Sequence, residues 1–479
     1  MGFPTIQEKY GSLSATGVAK EVTFGTPVAA TAFLPMDGNT MEEDPGWFAP
    51  HLMQGFRDYQ VYNLYGEAKY TGSVTGPIFP SNAMEFLSSS VGADGAVGWG
   101  VAAPNSSAPS TTTLSASSAA GATTVSVTSA TGIVTGQQIV IDVGGIQEFR
   151  LVSNVVSTTI TLADALQYAH ASAAAVSSGT TTTLSAASSA AATTVTVTSA
   201  TGITVGTIIQ IDVNTVSGSK TSEIRKVTTV ASTTLTLDVA LVYAHASGAQ
   251  VNVVVAPFTH TLVEQNNLPS LTVEKNLGSF QSLQFAGCKV GKFDIKVPTG
   301  NSPAGITMDL SGQSVATLSS PTAISVAAES PYVFAEATLT MFGSVRTEAS
   351  NCTVTIDNGL KETYTYSNNH GPSFITPVTL HVNGTIDVVW DSLTDATYGD
   401  FNRMANGTLG SLSFTLQHPT NGGTISFNLP QIVLNKFAND LKMEDVIMST
   451  LSYEATRPLT GSSLFTLQVL VVNSTYVAY

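Results

Sequence analysis

Charge is what this sequence has least of. Only 11% of its 479 residues are Asp, Glu, Lys or Arg. A monomer so sparsely charged is poorly solvated, which implies that other subunits cover much of its surface, although Thr and Ser hydroxyls also hydrate one. Positive charge is scarcer still: 18 basic residues stand against 33 acidic ones, for a net charge of −15. A nucleic-acid binder shows the reverse balance. Cysteine is nearly absent, and Cys288 and Cys352 lie far apart without a partner spacing. Neither a disulfide framework nor a thiolate metal site is indicated, and two small buried apolar side chains are expected instead.

Long hydrophobic runs are missing too. The best candidate, Leu464 to Val472, is interrupted by Thr466 and Gln468 and falls short of the ~18 residues that a membrane span needs. It reads as a strand, and no membrane insertion is expected. The opening MGFPTIQEKYG lacks the cationic start and apolar core of a secretory signal. No G-x-S-x-G, H-E-x-x-H, C-x-x-C or phosphate-binding glycine loop occurs. The chain is therefore not read as an enzyme, and no catalytic residue, cofactor or metal ligand is assigned.

What is present is β patterning, in a chain long enough for about three domains. Leu268 to Leu310 holds three alternating segments, Leu271/Val273, Phe293/Ile295/Val297 and Ile306/Met308/Leu310. Alternation sends the apolar set to a core and leaves Asp294, Lys296, Thr307 and Asp309 on a polar face. Gly278, Gly287, Gly291 and the Pro298 to Gly305 segment read as turns between antiparallel strands. Further strands are expected at 352–356, 364–366, 378–382, 385–390, 412–416, 424–429 and 464–472, with hairpin turns at Asp357-Asn358-Gly359 and Val382-Asn383-Gly384. Residues 59–70 and 72–78 suggest a hairpin. Pro80 to Val91 has the spacing of a short helix stopped by Gly92, and 331–341 and 401–406 suggest two more. The segment MDGNTMEEDPGWFAPH at 36–51 reads as a long exposed loop. Its Glu42, Glu43, Asp44, Trp47 and Phe48 suit an inter-subunit contact, and equally a Trp47 folded back on its own domain.

From about residue 107 the composition shifts to Ala, Ser and Thr, and the sequence repeats. TTTLSASSAAGATTVSVTSATG at 111–132 returns at 181–202 as TTTLSAASSAAATTVTVTSATG, and STTITLADALQYAHASAAAV at 157–176 returns at 232–251 as STTLTLDVALVYAHASGAQV. The extra residues of the second copy fall between Asp212 and Glu223, which marks a hairpin tip. Thr/Val alternation argues for two tandem all-β modules and against a disordered linker. Each copy keeps a Glu-x-Arg, Glu148/Arg150 and Glu223/Arg225, read as a surface ion pair. Each also keeps a Tyr-Ala-His-Ala-Ser, at 168–172 and 243–247, in which Tyr and His are expected to close the module end and metal or sugar binding is the weaker option.

Four phrases carry a family resemblance: Phe24-Gly25-Thr26-Pro27-Val28-Ala29 leading into Phe33-Leu34-Pro35; Met84-Glu85-Phe86-Leu87-Ser88-Ser89-Ser90-Val91-Gly92; Leu268-Pro269-Ser270-Leu271-Thr272-Val273-Glu274; and Phe285-Ala286-Gly287-Cys288-Lys289-Val290. Over roughly residues 1–100 and 255–479 the chain resembles the tail tube proteins of long-tailed bacteriophages. The resemblance implies a β-sandwich or barrel with a short flanking helix, and homohexameric rings stacked into the tube of a virion, of the non-contractile siphovirus type. It also implies phage DNA passing through the lumen without specific binding, tape measure and tail terminator proteins as further partners, and assembly in the host cytoplasm. The domain reading is then 1–106 and 255–479 for the tube domain, with modules at 107–177 and 178–254 inserted as a decoration. A lumen sized for duplex DNA has no room for two extra modules per subunit, so they are expected outside. The polar face of Asp294, Lys296, Thr307 and Asp309 would then line the lumen, or equally face outer solvent. The alternative reading is an outer tail or capsid protein whose modules bind host-envelope glycan.

Overall fold

The computed structural model describes residues 14–50, 63–80, 84–92, 101–102, 111–135, 137–142, 148–163, 165–166, 169–179, 181–212, 223–255, 258–278, 281–324, 329–366, 370–389, 399–418, 423–440, 447–460 and 464–473. The chain is mainly β and divides into two compact units, one built from residues 1–95 and 261–472 and the other from 96–260.

In the larger unit the strand pairings followed below are all antiparallel. One sheet runs in the order Lys69–Pro77, Gly305–Gly312, Ser282–Pro298, Ala349–Asp357, His381–Val389, Met448–Ala455 and Thr424–Asp440. The first half of Thr424–Asp440 starts a second sheet, with Gly410–Gln417 and then Ala337–Met341 on one side and Gln468–Asn473 on the other. Ala32–Leu34, Ala15–Lys20 and Leu271–Asn276 join the first half of Ser282–Pro298, whose other neighbour there is Ser314–Leu318. Two strands of 17 residues thus serve two sheets each. Both turn the corner at bulges, where one extra residue bends a strand and increases its twist. Their register shifts fall at Gly291 and between Leu434 and Lys436. Between the sheets, Phe293, Ile295, Val297, Phe414, Leu416 and Phe427 share one buried cluster.

The bulges correct the turns expected at Gly287 and Gly291, which both lie inside the Ser282–Pro298 strand. Gly287 has φ +68, a backbone that glycine alone adopts without strain. Val382-Asn383-Gly384 is no turn either, because it continues the His381–Val389 strand. There the glycine makes room: a Cβ would meet Thr353 O at 2.0 Å and Tyr453 Oη at 2.5 Å, and the Tyr453 hydroxyl donates to Thr353 O at 2.8 Å. At Asn358-Gly359 the chain does turn, but Leu360–Thr363 pairs with Phe374–Pro377 instead of returning along Ala349–Asp357, and 364–366 is not a strand.

Three further expectations change. Residues 69–77 form one strand, so the 59–70 and 72–78 hairpin is absent over its described part; residues 51–62 lie outside the described residues. The 36–51 loop contains strands Gly38–Asn39 and Glu42–Asp44, both paired with Lys69–Pro77. Residues 331–341 hold a single 3-10 turn, Phe334–Glu336, and then the strand Ala337–Met341, since Thr-Leu-Thr alternation favours a strand over a helix. Helices do occur at Met84–Val91 and Asp400–Ala405. The first is buried on nearly all sides rather than along one stripe, its serines bonding inward: Ser90 Oγ donates to Phe86 O and Ser89 Oγ to Pro269 O. The second is pinned at its start by buried Asp400, which accepts from the buried guanidinium of Arg346 at 2.6 and 3.2 Å.

The smaller unit holds two barrels of the same design. In the first the order is Thr111–Thr113, Ala175–Ser178, Gln138–Ile141, Glu148–Val156, Thr159–Leu162 and Thr124–Ser126, and a Leu114–Val127 bridge closes the ring. In the second it is Thr181–Thr183, Gln250–Val255, Ile208–Ile211, Glu223–Ala231, Thr234–Leu237 and Thr194–Thr196, closed at Leu184–Val197. Each interior is packed with Leu, Ile and Val, such as Ile139, Ile160 and Val176 in one and Ile209, Leu235 and Val251 in the other. Ile211 pairs directly with Glu223, so the extra length of the second copy lies between two paired strands; its residues 213–222 are outside the described residues.

Candidate functional site

The four phrases that carried the resemblance meet in space. Glu21, buried, accepts from Gly25 N at 2.9 Å, Ser270 Oγ at 2.7 Å, Thr272 Oγ1 at 2.9 Å and Gly287 N at 2.8 Å. Four donors satisfy the carboxylate oxygens, as the burial of so polar a group requires. Beside it Lys289 Nζ lies 5.5 Å from the centre of the Phe24 ring. Ser89 of the helix accepts from Val290 N at 3.3 Å while donating to Pro269 O. These contacts fix the first half of Ser282–Pro298 and leave its second half to carry the polar face.

On that second half the pleat does as the alternation requires. Phe293, Ile295, Ile306 and Met308 are buried, whereas Lys296 and Asp309 are exposed and Asp294 and Thr307 half-buried on the opposite side. Asp294 stands opposite Thr307 on one neighbour and Thr355 on the other, and Asp309 opposite Ser73. Each carboxylate is held by hydroxyls or a cation. Thr355 Oγ1 donates to Asp294 at 2.5 Å, Lys292 Nζ to Asp294 at 2.6 Å, and Ser73 Oγ to Asp309 at 2.6 Å. Further along, Asp387 accepts from Asn351 Nδ2 at 3.0 Å and Thr450 Oγ1 at 2.6 Å. The Asp294 hydrogen bond holds the Lys292 ammonium above its ordinary range against desolvation, with the charges of Asp294, Asp309 and Asp357 adding to it. An open groove of about 400 Å³ is lined by Ser73, Lys292, Asp309 and Asp357 among others. Ser73, Thr355, Asp387 and Thr450 were not singled out in the sequence, although each sits in an alternating strand. Only strand order shows that they share a face with Asp294.

The acidic-aromatic segment forms an edge. Glu42–Asp44 is exposed and pairs only with Lys69–Pro77 among the described residues. Trp47 and Phe48 are 58% and 51% exposed. Trp47 nevertheless leans on its own unit, its ring 5.1 Å from Tyr65, which stacks in turn 4.0 Å from His370. Tyr65 donates to Glu43 at 2.6 Å, and that bond, with burial, holds the phenol above its ordinary range.

In the barrels the histidines are buried, and the surface ion pair expected at Glu223/Arg225 is corrected, while the Glu148 side chain of the first copy lies outside what is described. Glu223 is 2% exposed. It bonds Arg225, accepts from Val242 N at 2.8 Å and Tyr243 N at 2.6 Å, and lies 3.1 Å from His245 Nε2, while His245 Nδ1 is 3.5 Å from Asp212. Burial pushes the Glu223 carboxyl up, but the bonds from His245, Val242 and Tyr243 and the charge of Arg225 outweigh it and hold the group below its usual range. In the first barrel His170 Nδ1 is 3.1 Å from Asp142. Tyr168 lies outside the described residues, and Tyr243 points outward rather than closing the barrel. Among the described residues no group of three or more His, Cys, Asp or Glu could hold a metal. Cys288 and Cys352 are both buried, and burial raises both thiols.

The larger unit is thus a bent sheet with one buried and one polar face, and among the described residues it keeps open edge strands. The chain belongs to the phage tail tube protein family, which matches residues 190–455, from within the second barrel to the end of Met448–Ala455. Among curated proteins none matches it. The family is structural rather than enzymatic, and it places the chain in the virion tail, self-assembling into a tube alongside other tail proteins. No described helix is long and apolar enough to cross a membrane.

Proposed function

We propose that this chain forms homohexameric rings that stack into the tube of a non-contractile phage tail, with the sheet of Ser282–Pro298 as its wall and the face of Asp294, Lys296, Thr307 and Asp309 toward the lumen. What carries this reading is the polar face itself. It presents short hydroxyl and carboxylate side chains bonded to one another, with Lys292 neutralised by Asp294. Such a surface offers no run of free cations to the phosphates of duplex DNA, so DNA slides along it without being held during ejection. The charge count agrees, since residues 255–479 carry 10 basic and 17 acidic side chains. Ring-wise pairing would satisfy the sheet edges, and head-to-tail contacts that do not close give a filament.

The barrels, inserted between the two parts of the tube domain, decorate the outside. Each has its own core and a closed ring of strands, so neither needs the tube to fold. Negative-stain microscopy of the purified chain tests the reading. Rings or tubes with external knobs are expected, and deletion of residues 107–254 leaves smooth tubes of the same bore. A particle that stays monomeric at high concentration, or a deletion that abolishes folding, overturns it.

A further inference from the structure

An asparagine followed by glycine readily loses its side-chain amide, because glycine has no Cβ to keep its backbone nitrogen away from the asparagine Cγ. Three such pairs lie among the described residues, at 358–359, 383–384 and 406–407, and a fourth, 421–422, lies outside them. The fold treats the three differently. Asn358 is buried, its Nδ2 donates to Ser90 O at 2.9 Å and Val290 O at 3.0 Å, and Gly359 N donates to Asp357 Oδ1 at 2.9 Å. Amide and nitrogen are both occupied. Asn383 is exposed, but its strand is paired on both sides, opposite Thr355 and Glu454, and Gly384 is buried against Tyr453. Turning that peptide toward the side chain would break both ladders. Asn406 has neither protection. It is exposed at the end of the Asp400–Ala405 helix, and its side chain makes no hydrogen bond among the described residues. Gly407, at φ +59, donates to Met404 O at 3.1 Å in the last turn. Only Asp400 of this helix is buried, clamped by Arg346, while Phe401 and Leu409 are exposed. The start of the helix is therefore held and its end is free to fray.

We propose that Asn406 is a site of self-modification, converting to aspartate and isoaspartate in the folded chain while Asn358 and Asn383 persist. When the last helical turn opens, hydroxide removes the Gly407 amide proton and the nitrogen attacks Asn406 Cγ. The new C–N bond closes a five-membered imide, and the side-chain nitrogen leaves as ammonia with a proton from water. Water then adds to one imide carbonyl and breaks its bond to the Gly407 nitrogen. Opening at the side-chain carbonyl gives aspartate, and opening at the main-chain carbonyl gives isoaspartate. The product sets a carboxylate at the negative end of the helix dipole, where it is least welcome. Isoaspartate also lengthens the backbone just before the Gly410–Gln417 strand. Arg403, three residues back, lies over the Phe342 ring at 4.4 Å and reaches Asp400 at 3.4 Å, and is the cation placed to meet the new charge. The reaction belongs to the single folded chain and does not rest on the tube reading.

The full-length chain is incubated in mildly alkaline buffer, both natively and in concentrated guanidinium chloride, and each asparagine is followed by peptide mass mapping. In the denaturant all three should convert at similar rates, since the dipeptide is the same. In the native chain Asn406 should stay close to that rate, while Asn358 and Asn383 fall behind it by roughly tenfold or more, because each must first unfold locally. Conversion of Asn406 should also quicken as pH rises, as removal of the Gly407 proton requires. Asn406 persisting natively as long as Asn358, Asn383 converting as fast as Asn406, or a rate at Asn406 indifferent to pH overturns the proposal.

Discussion

The larger unit and the small barrels treat the unpaired edge of a β-sheet in opposite ways. Each barrel closes on itself through a single bridge, Leu114–Val127 or Leu184–Val197, and the only edge strand described on either is the two-residue Val101–Ala102, paired with the end of Gln250–Val255. The larger unit keeps Ser314–Leu318 and Glu42–Asp44 with one strand neighbour each among the described residues. The first of these edges carries no charge and no proline, the devices by which monomers blunt an edge. Closed sheets satisfy their own edges and open ones leave them to be paired, which is the division of labour that the proposed tube, with its barrels as decoration, would need.

The comparison breaks first at the cores. F293A removes a ring from the middle of the larger unit and should cost it about 3–5 kcal/mol, while hydrogen exchange of the barrel strands in the same full-length chain stays unchanged. Joint loss of protection would mean that the two units are one cooperative body.

The units should also respond to pH with opposite signs. Burial raises the Glu85 carboxyl from 4.5 to about 7, with Lys20 pulling the other way. The native state therefore keeps a proton that the unfolded chain has released. Stability of the larger unit is full below the unfolded value and falls as pH rises through the folded one, by at most about 3 kcal/mol. E85Q should flatten that slope in denaturant titrations read at several pH values. Glu223 is depressed instead, so the second barrel holds its stability above the ordinary carboxylate range and loses it as pH falls through the lowered value. E223Q should cost that barrel about 1–3 kcal/mol, measured by exchange of Glu223–Ala231, with no effect on the first barrel.

The smallest effect sharpens the likeness of the barrels. Ala173 and Ala191 have φ +69 and +65, while the matched positions in the sister copies are Gly248 and Gly121. A173G and A191G should each stabilise its own barrel by about 0.5–1 kcal/mol, the difference between left-handed strain at alanine and the extra chain entropy of glycine. A loss of stability would show that the methyl groups pack.

Legibility followed the range of the interaction. Apolar alternation placed Phe293, Ile295, Ile306 and Met308, and the duplicated text exposed the repeat in the barrels. The errors were at glycines and hydroxyls. Gly287, Gly291 and Gly384 looked like turns because a sequence does not distinguish a glycine needed for a bend from one needed to admit the Tyr453 hydroxyl. Residues 331–341 suggested a helix, yet the neighbouring Gly410–Gln417 strand claimed Ala337–Met341 for the sheet. Glu223 and Arg225 looked like a surface pair because their spacing shows a shared side of a strand, not which side is covered.

By itself, then, the sequence determined that this is a charge-poor β protein with a repeated middle, and which side of each alternating strand is apolar. Period-two patterning is local, and each residue reports it without knowing its neighbours. The tertiary structure alone decided which polar sides align into one face, which carboxylates are clamped, and which sheets close. Those depend on strand order, where residues hundreds of positions apart, such as Ser73 and Asp309, become hydrogen-bonded neighbours.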